Sequence, residues 1–431
     1  MRFPLKPALT GALAIALVAA WGFDRSTVAS LWDIPMPKPA EERGVSIEEV
    51  RAKRMEMIAH TYLIDPNRTL DGFYDALLKG GTTRVAHYGD SPTTGDLITA
   101  DARALLQQQF GNAGTGFVLV AKPWAWYNHR GVEMQSSGWR YNVAGVATLP
   151  DSLYGLGAVS FRGNAGAVAR WTLADGTHTR AEVYFLAQPG GGKFSFEANG
   201  ATLGVGDTDG EQSGPGFISF DLPEGSKEFT LKVTDGEVRL YGVDFRRNSP
   251  GVVYSSIGVN GANITLIARA LDTAHWTAEL NHYKPDLLVL AYGTNESGFP
   301  DFVNGNWAGE LRVAVKKAKA ALPGVSILLM SPMDRGVRGE SGEIQTIASL
   351  PKLVSLEEGV ARELNVAFFN TYQAMGGEGT MGRWYTAEPR LVGADFIHPL
   401  PAGAKVVGGL LYKALRDGFQ DYKLRQLGVR N

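Results

Sequence analysis

Cysteine is absent from this chain of 431 residues. Its absence excludes disulfide bonds, thiol nucleophiles and cysteine-ligated metals, so packing alone has to hold the core together. Long runs of one charge are absent too, and 42 basic against 44 acidic residues give a formal net charge of -2. A nucleic-acid surface needs a basic patch, so we expect no nucleic-acid partner. Hydrophobic residues make up 44% of the chain, which is enough for a large globular core.

The first residues have the pattern of an export signal or a membrane anchor. Arg2 and Lys6 precede an uncharged apolar stretch at 7–23, and charge returns at Asp24. This order is typical of a secretory signal, and the stretch is at the short end of what spans a bilayer. Small residues at 18–20 suit a signal peptidase, so cleavage and retention as an anchor both stay open. Either way, we expect an exported protein, periplasmic or extracellular, attached to the membrane only if 7–23 is retained.

Alternating strand and helix patterns predict an α/β fold. Short apolar runs typical of strands buried on both faces occur at 84–89, 251–258, 286–293, 325–331 and 366–371. Helix-length patterns occur at 93–110, 263–283, 307–322, 345–364 and 402–419. This alternation predicts a sandwich of helices around a parallel sheet. Ligands of such sheets bind beyond the carboxyl ends of the strands, so the residues after each run are the candidates for a site.

One region breaks the alternation and predicts a second fold. Residues 151–247 consist of short alternating runs separated by turn sequences such as PGGG and TDGE, which indicates an inserted antiparallel β-sandwich. The insert is either a stabilising decoration or a carbohydrate-binding module. Its acidic stretch GDTDGE, 206–211, is too short to assert a calcium site. The predicted domains are a signal peptide or anchor (1–23), a linker with a helical lead-in (24–80), the first part of the α/β domain (81–150), the insert (151–247), the second part (248–420) and a tail (421–431).

Ser91 follows the first predicted strand, in the sequence HYGDSPT. Proline is favoured at the first position of a helix, so Pro92 predicts a helix cap at Ser91, at the mouth of the sheet. The Ser91 N–H, unpaired in a first helical turn, is a candidate donor to an oxyanion. Gly261 and Asn295, after the next two strands, offer a bare backbone N–H and a neutral amide. The sequence therefore predicts three donors at neighbouring strand ends.

A serine nucleophile needs a base, and the chain has seven histidines. A carboxylate beside an imidazole selects its tautomer, so we looked for Asp-x-x-His. The pattern at 175–178 lies in a turn of the insert and the one at 272–275 lies inside a helical pattern, so both are interpreted as incidental. Asp395 and His398 lie on a connection directly before the last helix, so we predict them to be the base and its orienting acid.

Four short motifs resemble, in order, the four blocks of the SGNH (GDSL-type) esterase and acylhydrolase family: Gly89-Asp90-Ser91, Gly261, Gly293-Thr294-Asn295-Glu296 and Asp395-Phe396-Ile397-His398. The resemblance covers 81–150 and 248–419. It implies a flavodoxin-like three-layer α/β/α sandwich, a Ser91 nucleophile, and an oxyanion hole made by the Ser91 N–H, Gly261 and Asn295. It also implies a triad completed by Asp395 and His398, with no cofactor and no metal.

The motifs depart from the family pattern at two places. Glu296 stands where aspartate is usual, which leaves Asn295 intact and affects local support. The second block lacks the fuller Asn-x-Gly spacing, so Gly258 competes with Gly261 for the donor role. His87, close to Asp90, is interpreted as structural and not as a metal ligand, because neighbours on a strand point to opposite faces.

The long β insert, together with HYGDSPTTGD and the aromatic PWAWYNH loop at 123–129, resembles the exported bacterial branch of the family, which includes peptidoglycan O-acetylesterases with a jelly-roll carbohydrate-binding insert. The implied function is a serine esterase that removes O-acyl groups, in particular O-acetyl groups, from a cell-wall or extracellular polysaccharide, with an acetylated glycan as partner. Gly-x-Ser-x-Gly is absent, which argues against the nucleophile-elbow lipases. Two alternatives stay open: a polysaccharide O-acetyltransferase that uses the same residues, and a non-catalytic glycan-binding protein.

Overall fold

The computed structural model describes residues 62–427. The predicted signal or anchor at 1–23 and residues 24–61 of the predicted linker and helical lead-in lie outside this range. Residues Ile64–Tyr412 form one compact unit, and the described residues from Lys413 on, which belong to a second unit, continue a long helix. Within the described range, no helix combines the length and the apolar character that a membrane span requires.

The helices in the described part of the chain are α1 (Asp71–Lys79), α2 (Ser91–Thr94), α3 (Ile98–Phe110), α4 (Thr273–Tyr283), α5 (Pro300–Gly305), α6 (Trp307–Ala321), α7 (Leu350–Leu364), α8 (Thr371–Ala374), α9 (Thr380–Thr386) and α10 (Pro401–Gln426), with a π-helical turn at Leu266–Ala270 and a 3₁₀ turn at Glu296–Gly298. The strands there are β1 (Leu63–Ile64), β2 (Thr82–Gly89), β3 (Gly114–Leu119), β4 (Val132–Val143), β5 (Val159–Leu173), β6 (Arg180–Ala187), β7 (Lys193–Ala198), β8 (Ala201–Asp207), β9 (Gly214–Asp221), β10 (Glu228–Asp235), β11 (Glu237–Arg246), β12 (Gly251–Gly258), β13 (Leu287–Ala291), β14 (Ser326–Met330), β15 (Gly336–Arg338), β16 (Ile344–Thr346) and β17 (Ala367–Phe369).

The predicted parallel sheet is confirmed. Its order is β1-β17-β14-β13-β2-β12, and the pairs β12–β2, β2–β13, β13–β14 and β14–β17 are parallel. Strands β12 and β14 are buried at every position, as expected for strands covered on both faces. Gly89 at the end of β2 pairs with Gly258 of β12 and Ala291 of β13. Three of the four predicted motifs therefore start at one edge of the sheet.

The predicted helix at 263–283 is divided in two. The π-helical turn ends at Ala270, and α4 begins at Thr273. Asp272 lies between them and accepts a hydrogen bond from the backbone N–H of His275, 2.8 Å away, so it caps α4. The Asp-x-x-His pattern at this place is thus the start of a helix.

A second sheet of nine strands is antiparallel throughout its described pairs and contains the predicted insert. Its order is β8-β7-β10-β5-β11-β6-β9, with β3 on β11 and β4 on β5. Strands β3 and β4 precede residue 151, so the sheet begins in the stretch that the sequence pattern assigned to the α/β domain. The pairing of β4 along nearly the whole of β5 is a tertiary contact, which the local pattern does not reveal. The domain boundaries themselves stay a prediction.

The antiparallel sheet folds over itself to make a sandwich. Phe196 of β7 stacks on Phe220 of β9, with ring centroids 4.8 Å apart, although these strands do not pair. The sandwich also packs against the α/β part. The imidazole of His282 in α4 lies flat on Phe217 of β9 at 3.5 Å, and its Nε2 is 3.0 Å from Glu182 of β6. The two sheets therefore share one hydrophobic core.

Candidate active site

Ser91 is the first residue of the short helix α2, directly after the end of β2. The helix begins one residue earlier than Pro92 predicts, so Asp90 and not Ser91 takes the cap position, and its carbonyl accepts from the N–H groups of Thr93 and Thr94. The Ser91 N–H belongs to the first helical turn, where an N–H has no partner within the helix. The side chain and the N–H of Ser91 are thus both presented at the carboxyl edge of the sheet.

His398 and Asp395 lie at the same edge as Ser91, although they are about three hundred residues away in sequence. The Ser91 Oγ is 2.8 Å from His398 Nε2, and His398 Nδ1 is 2.6 Å from Asp395 Oδ2. A carboxylate accepts only, so Nδ1 carries the ring proton and donates it to Asp395. Nε2 is then the acceptor, and the Ser91 hydroxyl donates to it.

Asp395 is held ionised and in place by its own loop. Its Oδ1 accepts from the N–H groups of Ile397 at 3.0 Å and His398 at 3.1 Å. Partial burial alone would raise the pKa of Asp395, but the hydrogen bond with His398 and these two N–H donors outweigh it and lower the pKa below its ordinary value. The ring of Phe396, edge-on to Tyr385 with centroids 4.9 Å apart, anchors the middle of the loop.

The predicted oxyanion donors come from two loops that are joined to each other. Asn295 Nδ2 donates to the carbonyl of Ala262 at 2.7 Å, directly after Gly261. An amide nitrogen carries two protons, so the second remains for an oxyanion. The loop of Gly261 is in turn tied to the serine strand, because the Val259 N–H donates to the carbonyl of Gly89 at 3.1 Å.

Gly258 and Gly261 differ in their position relative to strand β12 and in the space that a side chain would have. Gly258 ends strand β12, and a Cβ there would lie 2.0 Å from the backbone nitrogen of Thr94, so this glycine allows α2 to approach the sheet closely. Gly261 lies in the loop beyond the strand with φ +71°, and open space surrounds its missing side chain. This geometry favours Gly261 as the donor, a role that stays a prediction.

The buried side chain of Glu296 connects the same two loops by hydrogen bonds. The sequence indicated only local support from this residue. Its side chain is 1% exposed. Oε1 accepts from the Ile264 N–H at 2.9 Å and from the indole N–H of Trp307 at 3.3 Å, while Oε2 accepts from the Gly293 N–H at 3.1 Å. Burial raises the pKa of Glu296, although these donors counteract it. One carboxylate therefore fixes the second and third motifs relative to each other.

A second buried acid lies directly before the serine. Asp90 is 4% exposed, and its Oδ2 has no hydrogen-bond partner within the described residues. Burial, and then the nearby charge of Glu296, raise the pKa of Asp90 to about 7, although a hydrogen bond with Thr294 opposes the rise. Asp90 thus changes its charge near neutral pH, next to the predicted nucleophile.

An aromatic loop, residues 123–130, also reaches this edge, which sequence reasoning missed. Its Asn128 N–H donates to the carbonyl of Thr94 at the end of α2, 3.2 Å away. The indole N–H of Trp126 donates to Asn260 Oδ1 at 3.1 Å, one residue before Gly261. The cluster of aromatic residues in PWAWYNH was the available signal, but nothing in it indicates contact with the second motif.

The other histidines named from the sequence lie elsewhere. His87 is buried, and its Nδ1 is 2.6 Å from the Tyr254 hydroxyl. Burial lowers the pKa of His87 to about 3. His178 Nδ1 is 3.7 Å from Asp175, and its Nε2 faces the Thr115 hydroxyl at 2.9 Å. Between residues 62 and 427, no three His, Asp or Glu side chains are grouped so that they could hold a metal ion.

Comparisons with known proteins bear on the family and on the fold. Residues 225–406, which contain Gly261, Asn295, Asp395 and His398, match the GDSL-like Lipase/Acylhydrolase family. A solved structure described as "Peptidoglycan O-acetylesterase in action, 5 min" is 22% identical, covers 84% of this chain and 99% of that chain, and has a TM-score of 0.69. No curated protein matches the chain.

A carbohydrate esterase family 2 enzyme plus carbohydrate binding domain, from Corynascus thermopiles (Myceliophthora fergusii), is 15% identical and covers 65% of this chain and 99% of that chain, at a TM-score of 0.32. That likeness is too weak to bear on function. The family match and the shared fold agree with the motifs at the sheet edge. Residues 225–406 are thus similar to the GDSL-like Lipase/Acylhydrolase family of ester hydrolases, and the chain shares the fold of a solved SGNH-type hydrolase.

Proposed function

We propose that this chain is a serine esterase that removes O-acetyl groups from a cell-wall or extracellular polysaccharide through an acyl-enzyme on Ser91. The observation that carries the mechanism is the continuous chain from the Ser91 Oγ to His398 Nε2 at 2.8 Å and from His398 Nδ1 to Asp395 Oδ2 at 2.6 Å. A serine, its base and the acid that orients the base are thus at hydrogen-bond distance.

The first half-reaction forms the acyl-enzyme. His398 Nε2 takes the proton of Ser91 as the oxygen attacks the ester carbonyl, and Asp395 stabilises the imidazolium that results. The oxyanion lies against the Ser91 N–H, the Gly261 N–H and the second amide proton of Asn295. When this intermediate collapses, His398 gives its proton to the departing sugar oxygen and Ser91 carries the acetyl group.

The second half-reaction returns the free enzyme, with water as the acceptor. The side chains of His398 and Asp395 are 45% and 48% exposed, so water reaches the imidazole from the open side. His398 takes a proton from the water as it attacks the acyl-enzyme, and acetate leaves. This openness supports hydrolysis over transfer of the acetyl group to a second sugar.

The glycan substrate is supported by the peptidoglycan O-acetylesterase structure, which this chain matches over 99% of its length at a TM-score of 0.69. The match extends over 84% of this chain and so takes in part of the antiparallel sheet. Export through the apolar stretch at 7–23 would place the enzyme with such a substrate in the periplasm or outside the cell. Binding of glycan by the antiparallel sheet stays a prediction.

The test is acetate release from O-acetylated peptidoglycan and from acetylated xylan by the purified chain. We expect Ser91→Ala to abolish release and to abolish turnover of p-nitrophenyl acetate. Ser136→Ala is the matched control, because Ser136 is an exposed serine on β4 of the antiparallel sheet, and we expect it to keep wild-type rates.

Three results would contradict the proposal. Wild-type turnover by Ser91→Ala would remove the serine from the mechanism. Transfer of acetate to an added glycan, with little free acetate, would identify an acetyltransferase. Binding of glycan by the wild-type chain without any acetate release would favour a binding protein.

A further inference from the structure

Trp126 is the exposed aromatic residue of the loop at 123–130. Its side chain is 55% exposed, whereas Tyr127 beside it is 3% exposed. A large indole left in solvent forgoes the stabilisation that burial would give, so its exposure calls for an explanation.

The exposure does not come from a loose loop. The Tyr127 hydroxyl accepts from the Leu119 N–H at 3.0 Å, and Trp124 packs against the hydrophobic core. The Arg130 N–H donates to Asp96 Oδ2 at 2.8 Å, and Asp96 is itself held by Arg103. The loop is therefore anchored on both sides of Trp126.

The indole orientation is also fixed by a hydrogen bond. An indole N–H can only donate, so its partner in Asn260 is the amide oxygen, and the amide nitrogen of Asn260 must point away from the ring. Within residues 62–427, that nitrogen makes no hydrogen bond of its own. An open aromatic surface thus has a free hydrogen-bond donor at its edge.

The neighbours of Trp126 in sequence and its hydrogen-bond partner show where it lies relative to the predicted site. Asn260 lies between Val259, which donates to the carbonyl of Gly89, and Gly261. Asn128, two residues after Trp126, bonds to the last residue of the helix that Ser91 begins. The loop of Trp126 is therefore bonded both to the segment directly before Gly261 and to the helix that Ser91 begins.

The geometry points to Trp126 as a subsite for a pyranose ring of the glycan that carries the ester, an inference that rests on the proposed function. A pyranose presents a face of C–H bonds, which packs on an aromatic surface, and hydroxyls at its edge, which accept from an amide such as that of Asn260. Trp126 then determines which alcohol is accepted and takes no part in the acyl transfer.

The test compares two esters that share the acetyl group and differ in the alcohol: O-acetylated peptidoglycan fragments and ethyl acetate, which has no ring to stack. We expect Trp126→Ala to lower the ratio of kcat/KM for the glycan to kcat/KM for ethyl acetate about tenfold, chiefly through a higher KM for the glycan. Trp126→Phe keeps an aromatic face and should retain most of the ratio. Tyr62→Ala, at an exposed aromatic residue directly before β1, at the end of the parallel sheet opposite β12, is the control and should leave the ratio unchanged.

Two results would overturn the subsite. An unchanged ratio in Trp126→Ala would show that the glycan does not use the indole. An equal loss on both esters, with a lowered melting temperature, would show that Trp126 supports the loop only. Both results leave the proposed function standing as long as the wild-type chain releases acetate from the glycan, whereas failure of that release is failure of the proposed function.

Discussion

The same spacing, Asp-x-x-His, occurs in a turn of the antiparallel sheet and at the edge of the parallel sheet, with different results. In the antiparallel sheet His178 is buried at 3.7 Å from Asp175, whose other oxygen pairs with Arg247. At the parallel edge His398 is half exposed, 2.6 Å from Asp395 and 2.8 Å from Ser91. The motif alone does not place an imidazole beside a serine; the strand end that carries Ser91 does.

The two sheets as a whole also differ in whether they bring distant residues together. The carboxyl ends of parallel strands meet at one edge, so residues far apart in sequence gather there. Antiparallel strands end alternately at opposite edges, and their polar groups are spread over the faces. We therefore expect changes at the parallel edge to affect turnover and matched changes on the antiparallel sheet to have little effect, and four predictions test this contrast.

The largest effect is expected for Asp395→Asn. An amide at this place stabilises no imidazolium and allows the wrong tautomer of His398, so we expect kcat for p-nitrophenyl acetate to fall roughly 10³- to 10⁴-fold with the fold intact. Asp175→Asn changes the same motif on the antiparallel sheet and should leave kcat within twofold. A similar loss of kcat in both variants would contradict the expected difference between the two sheets.

Asn295→Ala is expected to have the next largest effect. The change removes one oxyanion donor and also the tie to the Ala262 carbonyl. We expect transition-state stabilisation to fall by about 3 kcal/mol, seen as a loss in kcat of roughly 100-fold with little change in KM. Steady-state kinetics measure the split, and a loss confined to KM would argue against an oxyanion role.

Glu296→Gln tests the tie between the loops. An amide nitrogen would replace one carboxylate oxygen and face N–H donors, which costs about 1–3 kcal/mol for a buried group. We expect kcat to fall about tenfold at unchanged KM, because Glu296 positions Gly293 and the loop before Ile264 without touching substrate. Glu237→Gln is the control, since Glu237 forms an exposed ion pair with Arg140 on the antiparallel sheet.

The smallest effect expected on turnover is that of Asp90→Asn, whose main readout is stability. The pKa of Asp90 is raised from its ordinary 3.8 to about 7. The native carboxyl thus holds its proton more tightly than the unfolded one, and the free energy of unfolding falls as pH rises between these two values. The neutral amide avoids this loss.

Urea denaturation of the wild type and of Asp90→Asn at pH 4 and pH 8 measures how the free energy of unfolding of each protein depends on pH. Relative to the wild type, we expect Asp90→Asn to gain about 4 kcal/mol between the two pH values. The raised pKa of Glu357 is common to both proteins and cancels in the comparison, whereas the variant also loses the electrostatic interaction between Asp90 and Glu296. Parallel stability curves for the two proteins would show that folding does not raise the pKa of Asp90.

Much of the α/β part could be predicted from the sequence. Strands buried on both faces, such as Gly251–Gly258, appear as continuous apolar runs, and the motifs follow their ends. The contacts that complete the site could not be predicted, because they depend on pairing between distant segments. Trp126 meets Asn260 across 134 residues, and Glu296 meets Ile264 across 32, and no local pattern encodes either. The place of β4 in the antiparallel sheet was missed for the same reason.

The order of the motifs along the chain also sets when activity can begin. Ser91 and His398 are separated by 307 residues, so a ribosome that adds about 5–20 residues per second makes the nucleophile roughly 15 to 60 s before its base. During that interval the nascent chain holds Ser91 without His398, the imidazole that lies at hydrogen-bond distance from it in the folded protein. The arrangement of Ser91, His398 and Asp395 therefore cannot form before the loop that precedes the last helix has been synthesised.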